Sequence, residues 1–170
     1  MVTNGLCKGY ISLTLNAHYV FCFLKNYTIL AVGQQIALFN PYPMSNSKPF
    51  KLEYIIKSSP TILYSFLTTP AGLSQWFADS VDINGEIYTF LWNGVAEEAE
   101  LLEDIENELV RFRWDYADEH EYFEFSIVLS EVTGDTILYI TDFAEESDRR
   151  DQEILWDSQI ANLSKRLGGS

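Results

Sequence analysis

Ser58-Ser59-Pro60-Thr61-Ile62-Leu63-Tyr64-Ser65-Phe66-Leu67-Thr68-Thr69-Pro70-Ala71-Gly72-Leu73-Ser74-Gln75-Trp76-Phe77 holds two helix starts and a helix stop in a short run. A serine ahead of proline is a capping residue followed by a side chain preset for the first turn. Ile62, Leu63, Phe66 and Leu67 then recur at helical spacing and form one apolar face. Thr69 precedes Pro70, and a residue before proline avoids the helical region, so the first helix ends there. A second short helix is predicted over Ala71 to Phe77, with Leu73, Trp76 and Phe77 as its apolar side. Beyond it, Asn84-Gly85 and Asn93-Gly94 are tight-turn dipeptides, so the stretch continues into hairpins.

The pattern extends outward on both sides. Upstream, Phe50 to Lys57 alternates for most of its length and predicts a strand. Downstream, the alternation predicts strands over 80–83, 87–92, 96–105, 109–116, 120–131 and 136–143, separated by short turns. Val110, Phe112, Trp114 and Tyr116 alternate with Arg111, Arg113 and Asp115, which implies a sheet with one polar face. A long helix is predicted from Ser147, its capping residue, to Leu167. Leu155, Trp156, Gln159, Ile160, Leu163 and Leu167 fall on one broad face of that helix, and Gly168-Gly169 stops it. The order is strand, two short helices, an antiparallel meander and one long helix: an α+β fold.

Charge divides the chain. Residues 1–43 carry no Asp or Glu and only Lys8 and Lys25 as fixed charges, whereas residues 44–170 hold nine basic against 25 acidic side chains, a balance of −16. Residues 1–43 are therefore read as an N-terminal extension and 44–170 as the domain. Met44 follows Asn40-Pro41-Tyr42-Pro43 and is expected to be the true first residue, the preceding segment being upstream sequence; a degenerate signal or anchor is the alternative. The apolar run Tyr10 to Leu24, broken by Asn16 and His18, is short of the roughly 20 residues a bilayer span needs. The acidity argues against nucleic acid and against an anionic membrane surface as partners. Both cysteines, Cys7 and Cys22, precede residue 44, so the domain has no disulfide framework.

The motifs Ile56-Lys57-Ser58-Ser59-Pro60 with Leu63-Tyr64 and Phe66-Leu67, Gly72-Leu73-Ser74 with Trp76-Phe77-Ala78-Asp79, and Phe90, Trp92 and Gly94 occur in a fixed order. Leu101-Leu102 and Val110-Arg111-Phe112-Arg113-Trp114 continue it. Together they resemble the helix-grip fold of the START-like (SRPBCC) superfamily over about residues 48–167, nearest a small bacterial group beside the heat-shock ATPase activator homologues. That resemblance implies a curved antiparallel sheet wrapped round the C-terminal helix, with an apolar cavity between them. It further implies binding of a hydrophobic or amphipathic small molecule or lipid, and the leading reading is a cytoplasmic protein that does so without catalysis and without a cofactor. Superfamily members include carriers, cyclases and co-chaperones, so a protein-interaction module and a cyclase-like enzyme are the alternatives.

Phe112, Trp114, Phe123, Phe125 and Ile127 on strands are expected to face Trp156, Ile160 and Leu163 on the long helix, where they either line a ligand cavity or fill it. Trp76 and Phe77 fall at the mouth the resemblance implies and either gate it or anchor the second helix. No catalytic residue is assigned, since a cyclase-type role needs a carboxylate held above its usual pKa in an apolar site. Tyr122, Glu124 and Tyr139 are candidate polar handles. His120 is the one histidine in 44–170, so no metal site is expected. Glu97, Glu98, Glu100, Glu103 and Asp104 form an acidic run expected on a solvated outer face, or against a basic protein partner, with Arg111 and Arg113 pairing to it from neighbouring strands.

Overall fold

In a computed structural model the chain divides into two compact units, Met1–Met44 and Ser45–Ser170. The structure describes residues 46–168 and, before them, the strands β1 (Leu13–Leu15), β2 (Tyr19–Leu24), β3 (Tyr27–Val32) and β4 (Gln35–Phe39). These four form an antiparallel meander in sequence order. Cys7 and Met44, and with them the expected start, lie outside the described residues.

The second unit begins with β5 (Lys48–Ile56) and the helices α1 (Pro60–Thr68) and α2 (Pro70–Leu73). Strands β6 (Ser80–Asn84), β7 (Ile87–Trp92), β8 (Val95–Ile105), β9 (Leu109–Trp114), β10 (Phe123–Leu129) and β11 (Thr136–Ala144) follow, and α3 (Arg149–Arg166) ends the domain. The seven strands form one antiparallel sheet in the order β5-β11-β10-β9-β8-β7-β6. Consecutive strands pair from β6 to β11, and β5 closes onto β11 in unbroken register from Lys48↔Ala144 to Ile56↔Thr136.

Local chemistry sets these elements. Ser59 sits in extended backbone and its hydroxyl accepts from the Ile62 N–H, with Pro60 in the first turn of α1. Thr69 serves two helices: its hydroxyl donates to the Ser65 carbonyl at 2.6 Å and accepts from the Gly72 N–H at 3.0 Å. The second helix is shorter than the sequence predicts. The backbone turns at Ser74, and the Trp76 and Phe77 N–H groups both return to the Leu73 carbonyl. The Trp76 indole N–H reaches the Phe66 carbonyl at 2.9 Å, a tertiary bond that takes its ring away from a continuing helix.

Asn93 and Gly94 both adopt positive φ (50° and 83°), the pairing a two-residue hairpin between Trp92 and Val95 demands. The preceding hairpin turns one residue later than predicted, at Gly85-Glu86, because Asn84 remains paired with Ile87. The C-terminal helix also begins later than predicted, and Ser147 does not cap it. The Asp148 and Arg149 N–H groups donate to the Glu145 carbonyl, so a turn leads into the helix in place of a side-chain cap.

The core lies between the sheet's inner face and the helices. Phe90, Phe112, Phe123 and Phe125 are fully buried against Leu63, Leu67 and Leu73 from α1 and α2 and Leu163 from α3. Burying each such phenylalanine contributes about 1.5–3 kcal/mol. The α3 face is narrower than predicted: Trp156, Ile160 and Leu163 are buried one turn apart, while Leu155 is half exposed. Among the described residues no helix is long and apolar enough to cross a membrane.

Candidate functional site

Beside this core the inner face opens into a recess of about 370 Å³ between the sheet and α3. Its apolar walls are Phe77, Trp92, Trp114 and Trp156. Phe77 lies parallel to Trp156 at 6.0 Å and edge-on to Trp92 at 5.5 Å, and Trp92 meets Trp114 at 6.0 Å. The Trp92 indole N–H is fixed on the Phe77 carbonyl at 2.6 Å, which holds two of these rings in one arrangement. Leu155, exposed on α3, forms part of the rim.

The polar lining comes from four places in the sequence: Glu97 on β8, Tyr116 just past β9, Asp142 on β11, and Gln152 and Gln159 on α3. Asp142 is 7 % exposed. One of its oxygens accepts from the Trp156 indole N–H at 2.8 Å and from the Gln152 amide at 2.9 Å, and the other from the Phe143 N–H at 2.8 Å. Burial pushes the Asp142 carboxyl above the usual carboxylate range, and the nearby Glu121 charge adds to the rise; the three hydrogen bonds oppose it. The Tyr116 ring stacks parallel to Trp114 at 6.0 Å. Its hydroxyl is pushed up to about 12 by partial desolvation, then by the charges of Glu97, Asp142 and Asp115.

A second recess of about 240 Å³ adjoins the first and shares Trp114, Tyr116, Asp142 and Gln152 with it. Asp142 therefore stands between two openings. The smaller one adds Glu121, Tyr122, Glu145 and Asp148.

Of the side chains expected at a cavity, Phe77, Trp114 and Trp156 stand on the recess wall. Phe112, Phe123, Phe125, Ile127, Ile160 and Leu163 are buried in the packed core behind it. Trp76 packs against Phe77 at 5.2 Å and Phe125 at 6.0 Å, anchored by its bond to Phe66. The expected polar handles lie elsewhere. Glu124 is bound by Arg111 at 2.8 Å, Tyr139 lies under the Lys51 ammonium at 3.9 Å, and Tyr122 borders only the smaller recess. His120 sets its ring edge-on to Phe143 at 6.0 Å.

The acidic run does not share one face. Arg111 bridges Glu103 and Glu124 and Arg113 holds Glu100 at 2.6 Å, as expected of an outer face. Glu97 lies instead in phase with buried Ala99 and faces the recess, and Asp104 accepts from the Tyr64 hydroxyl of α1. The shift between Leu101 and Glu103 that re-phases β8 is a β-bulge. Asp142 was within reach of the same counting, since Thr136, Leu138, Ile140 and Asp142 alternate as the buried positions of β11. Among the described residues no group of three or more His, Cys, Asp or Glu side chains is placed to hold a metal ion.

The family model of the START-like superfamily domain matches residues 44–169. The chain belongs to the START-like superfamily. The seven-stranded sheet, two short helices after its first strand and long C-terminal helix are the helix-grip arrangement of that superfamily. BfR322 from Bacteroides fragilis, solved in solution, is 36 % identical over 74 % of this chain and 94 % of that one, with a TM-score of 0.56. The Aha1 dimer from Colwellia psychrerythraea shares 21 % identity over 71 % of this chain and 96 % of that one, at a TM-score of 0.60. DynU16, from the dynemicin biosynthetic locus, shares 13 % over 71 % of this chain and 47 % of that one, at 0.59. The last two show a common fold. No curated protein matches the chain.

Proposed function

We propose that this START-like domain binds a small amphipathic molecule without transforming it. The apolar body of the molecule rests on Phe77, Trp92, Trp114 and Trp156, and its polar end faces Asp142, Glu97 and Gln152. One observation carries this reading: a preformed recess of about 370 Å³, aromatic on its walls and polar on one side, beneath the C-terminal helix. Ligand sites have these proportions, mostly apolar with a few placed polar groups, in volumes of roughly 300–1,000 Å³. A docking role for the outer acidic face draws less support, because Glu100, Glu103 and Glu124 are already engaged by Arg111 and Arg113.

The test is to fill the space. Leu155→Trp places an indole at the rim from a half-exposed position that the core does not depend on. With 1-naphthylmethanol as probe, the Trp92 and Trp156 indole N–H signals shift in NMR spectra of the full chain, and the variant weakens the probe's binding at least about tenfold with little change in stability. Indole signals that stay unmoved up to about 10 mM whether the naphthyl probe carries an alcohol, an ammonium or a carboxylate, or that move alike in both proteins, would refute the proposal.

A further inference from the structure

The two recesses that meet at Asp142 have a one-sided charge. Glu97 lines the larger, Glu121, Glu145 and Asp148 line the smaller, and Asp142 lines both. Among the described residues, no Lys, Arg or His side chain lines either. Three aromatic faces stand beside these carboxylates: Trp114, with Tyr116 parallel to it at 6.0 Å, and Trp156, which is tied to Asp142 itself. The ring faces carry the negative part of the aromatic quadrupole and attract cations placed over them.

Both features select the same charge. An anionic ligand, such as a carboxylate or a phosphate ester, would bring its charge beside the buried Asp142 and beside Glu97 with no cation to receive it. A neutral polar end would bring no charge to Asp142 and Glu97. An ammonium meets them directly, and its carbon substituents sit on the aromatic walls. We infer that the molecule this recess takes is an amine: an apolar, preferably aromatic body bearing an ammonium group that faces Asp142 and Glu97 against Trp114, Tyr116 and Trp156. The inference rests on the binding role proposed above and goes beyond it by fixing the sign of the ligand's charge.

Three probes with one body test it: 1-naphthylmethylammonium, 1-naphthylmethanol and 1-naphthoate, titrated into the full chain by calorimetry at neutral pH. The ammonium is expected to bind at least about tenfold more tightly than the alcohol, and the carboxylate least of all. Glu97→Gln keeps the side chain's size and removes one charge at an accessible position. It should bring the ammonium to within about threefold of the alcohol. The ammonium preference should also fall as salt is raised. If the alcohol binds as tightly as the ammonium, or the carboxylate binds best, the charge inference is overturned while the binding role stands. Failure of all three to bind overturns both. The comparison on the unaltered chain needs no variant to fold.

Discussion

Trp156→Phe removes one atom group of consequence, the indole N–H that donates to Asp142 at 2.8 Å, and keeps an aromatic ring against Phe77, Phe123 and Phe125. A hydrogen bond to a charged acceptor contributes about 1.5–3 kcal/mol, and the smaller ring forfeits about 1 kcal/mol of apolar burial. The expected loss at neutral pH is therefore about 2.5–4 kcal/mol, a large share of a domain's stability. The carboxylate left behind is buried, which is why the upper part of that range is expected.

The same substitution makes the loss depend on pH. In the folded protein the Asp142 pKa already lies above its ordinary value of 3.8, so the folded state holds that proton more strongly than the unfolded state. Asp142 thus contributes stability at low pH that is lost as pH rises from 3.8 through its folded pKa. Trp156 is among the donors that oppose the rise, so removing it moves the folded pKa further up. The deficit of the variant is full above that pKa and shrinks to about 2 kcal/mol once the carboxyl is protonated and only a neutral acceptor is lost. Urea denaturation followed by far-ultraviolet circular dichroism across acid to neutral pH reads both quantities. In an Asp142→Asn background the deficit should no longer vary with pH. A deficit equally large at every pH, with Asp142 intact, would refute the account of Asp142 as the buried charge that Trp156 stabilises.

Two further substitutions probe the scaffold. Gly72→Ala would set a methyl carbon 2.3 Å from the Ser65 carbonyl oxygen and 2.6 Å from the Phe66 Cα, both backbone atoms. Thermal unfolding should show a loss of about 2–4 kcal/mol, since α1 and α2 must separate to admit it. Arg111→Ala frees Glu103 and Glu124 at once, and because Glu124 is largely buried the expected loss is about 1–2 kcal/mol, shrinking as salt is added to the denaturation series.

Most of the fold was legible because its signals are local. Pro60 marks a helix start and Pro70 the break between two helices, Asn93-Gly94 fixes a hairpin, and Trp156, Ile160 and Leu163 recur at the spacing of one buried helix face. What escaped is what tertiary contacts decide. The end of α2 follows from the reach of Trp76 to the Phe66 carbonyl, and the start of α3 from a backbone turn at Glu145 that makes Ser147 unnecessary as a cap. The site was legible only by half. Aromatic density pointed to the right layer, but Phe112, Phe123 and Phe125 look no different in sequence from Trp114, and only their position along the strands separates core from recess. Glu97 was obscured by grouping it with its neighbours, although its phase with Ala99 already placed it inside.

That position along the strands explains the site as a whole. In an antiparallel sheet the C-terminal ends of β7, β9 and β11 lie beside the N-terminal ends of β8 and β10. Trp92, Trp114 and Asp142 come from the first set and Glu97 from the second, so residues far apart in sequence meet at one edge of the inner face. Toward the opposite edge the same strands bury Val110, Phe112, Leu138 and Ile140 with no exposed polar atom among their side chains. Hydrophobic burial in that apolar half supplies the stability, and the half beneath the recess can then tolerate a carboxylate whose pKa burial raises. Such a carboxylate is unfavourable for folding unless something neutralises it, and the Trp156 and Gln152 donors do so only in part. A positive charge entering the recess would offset the rest of that cost, so the amine preference proposed for the recess and the pH dependence predicted for Trp156→Phe have a single origin in Asp142.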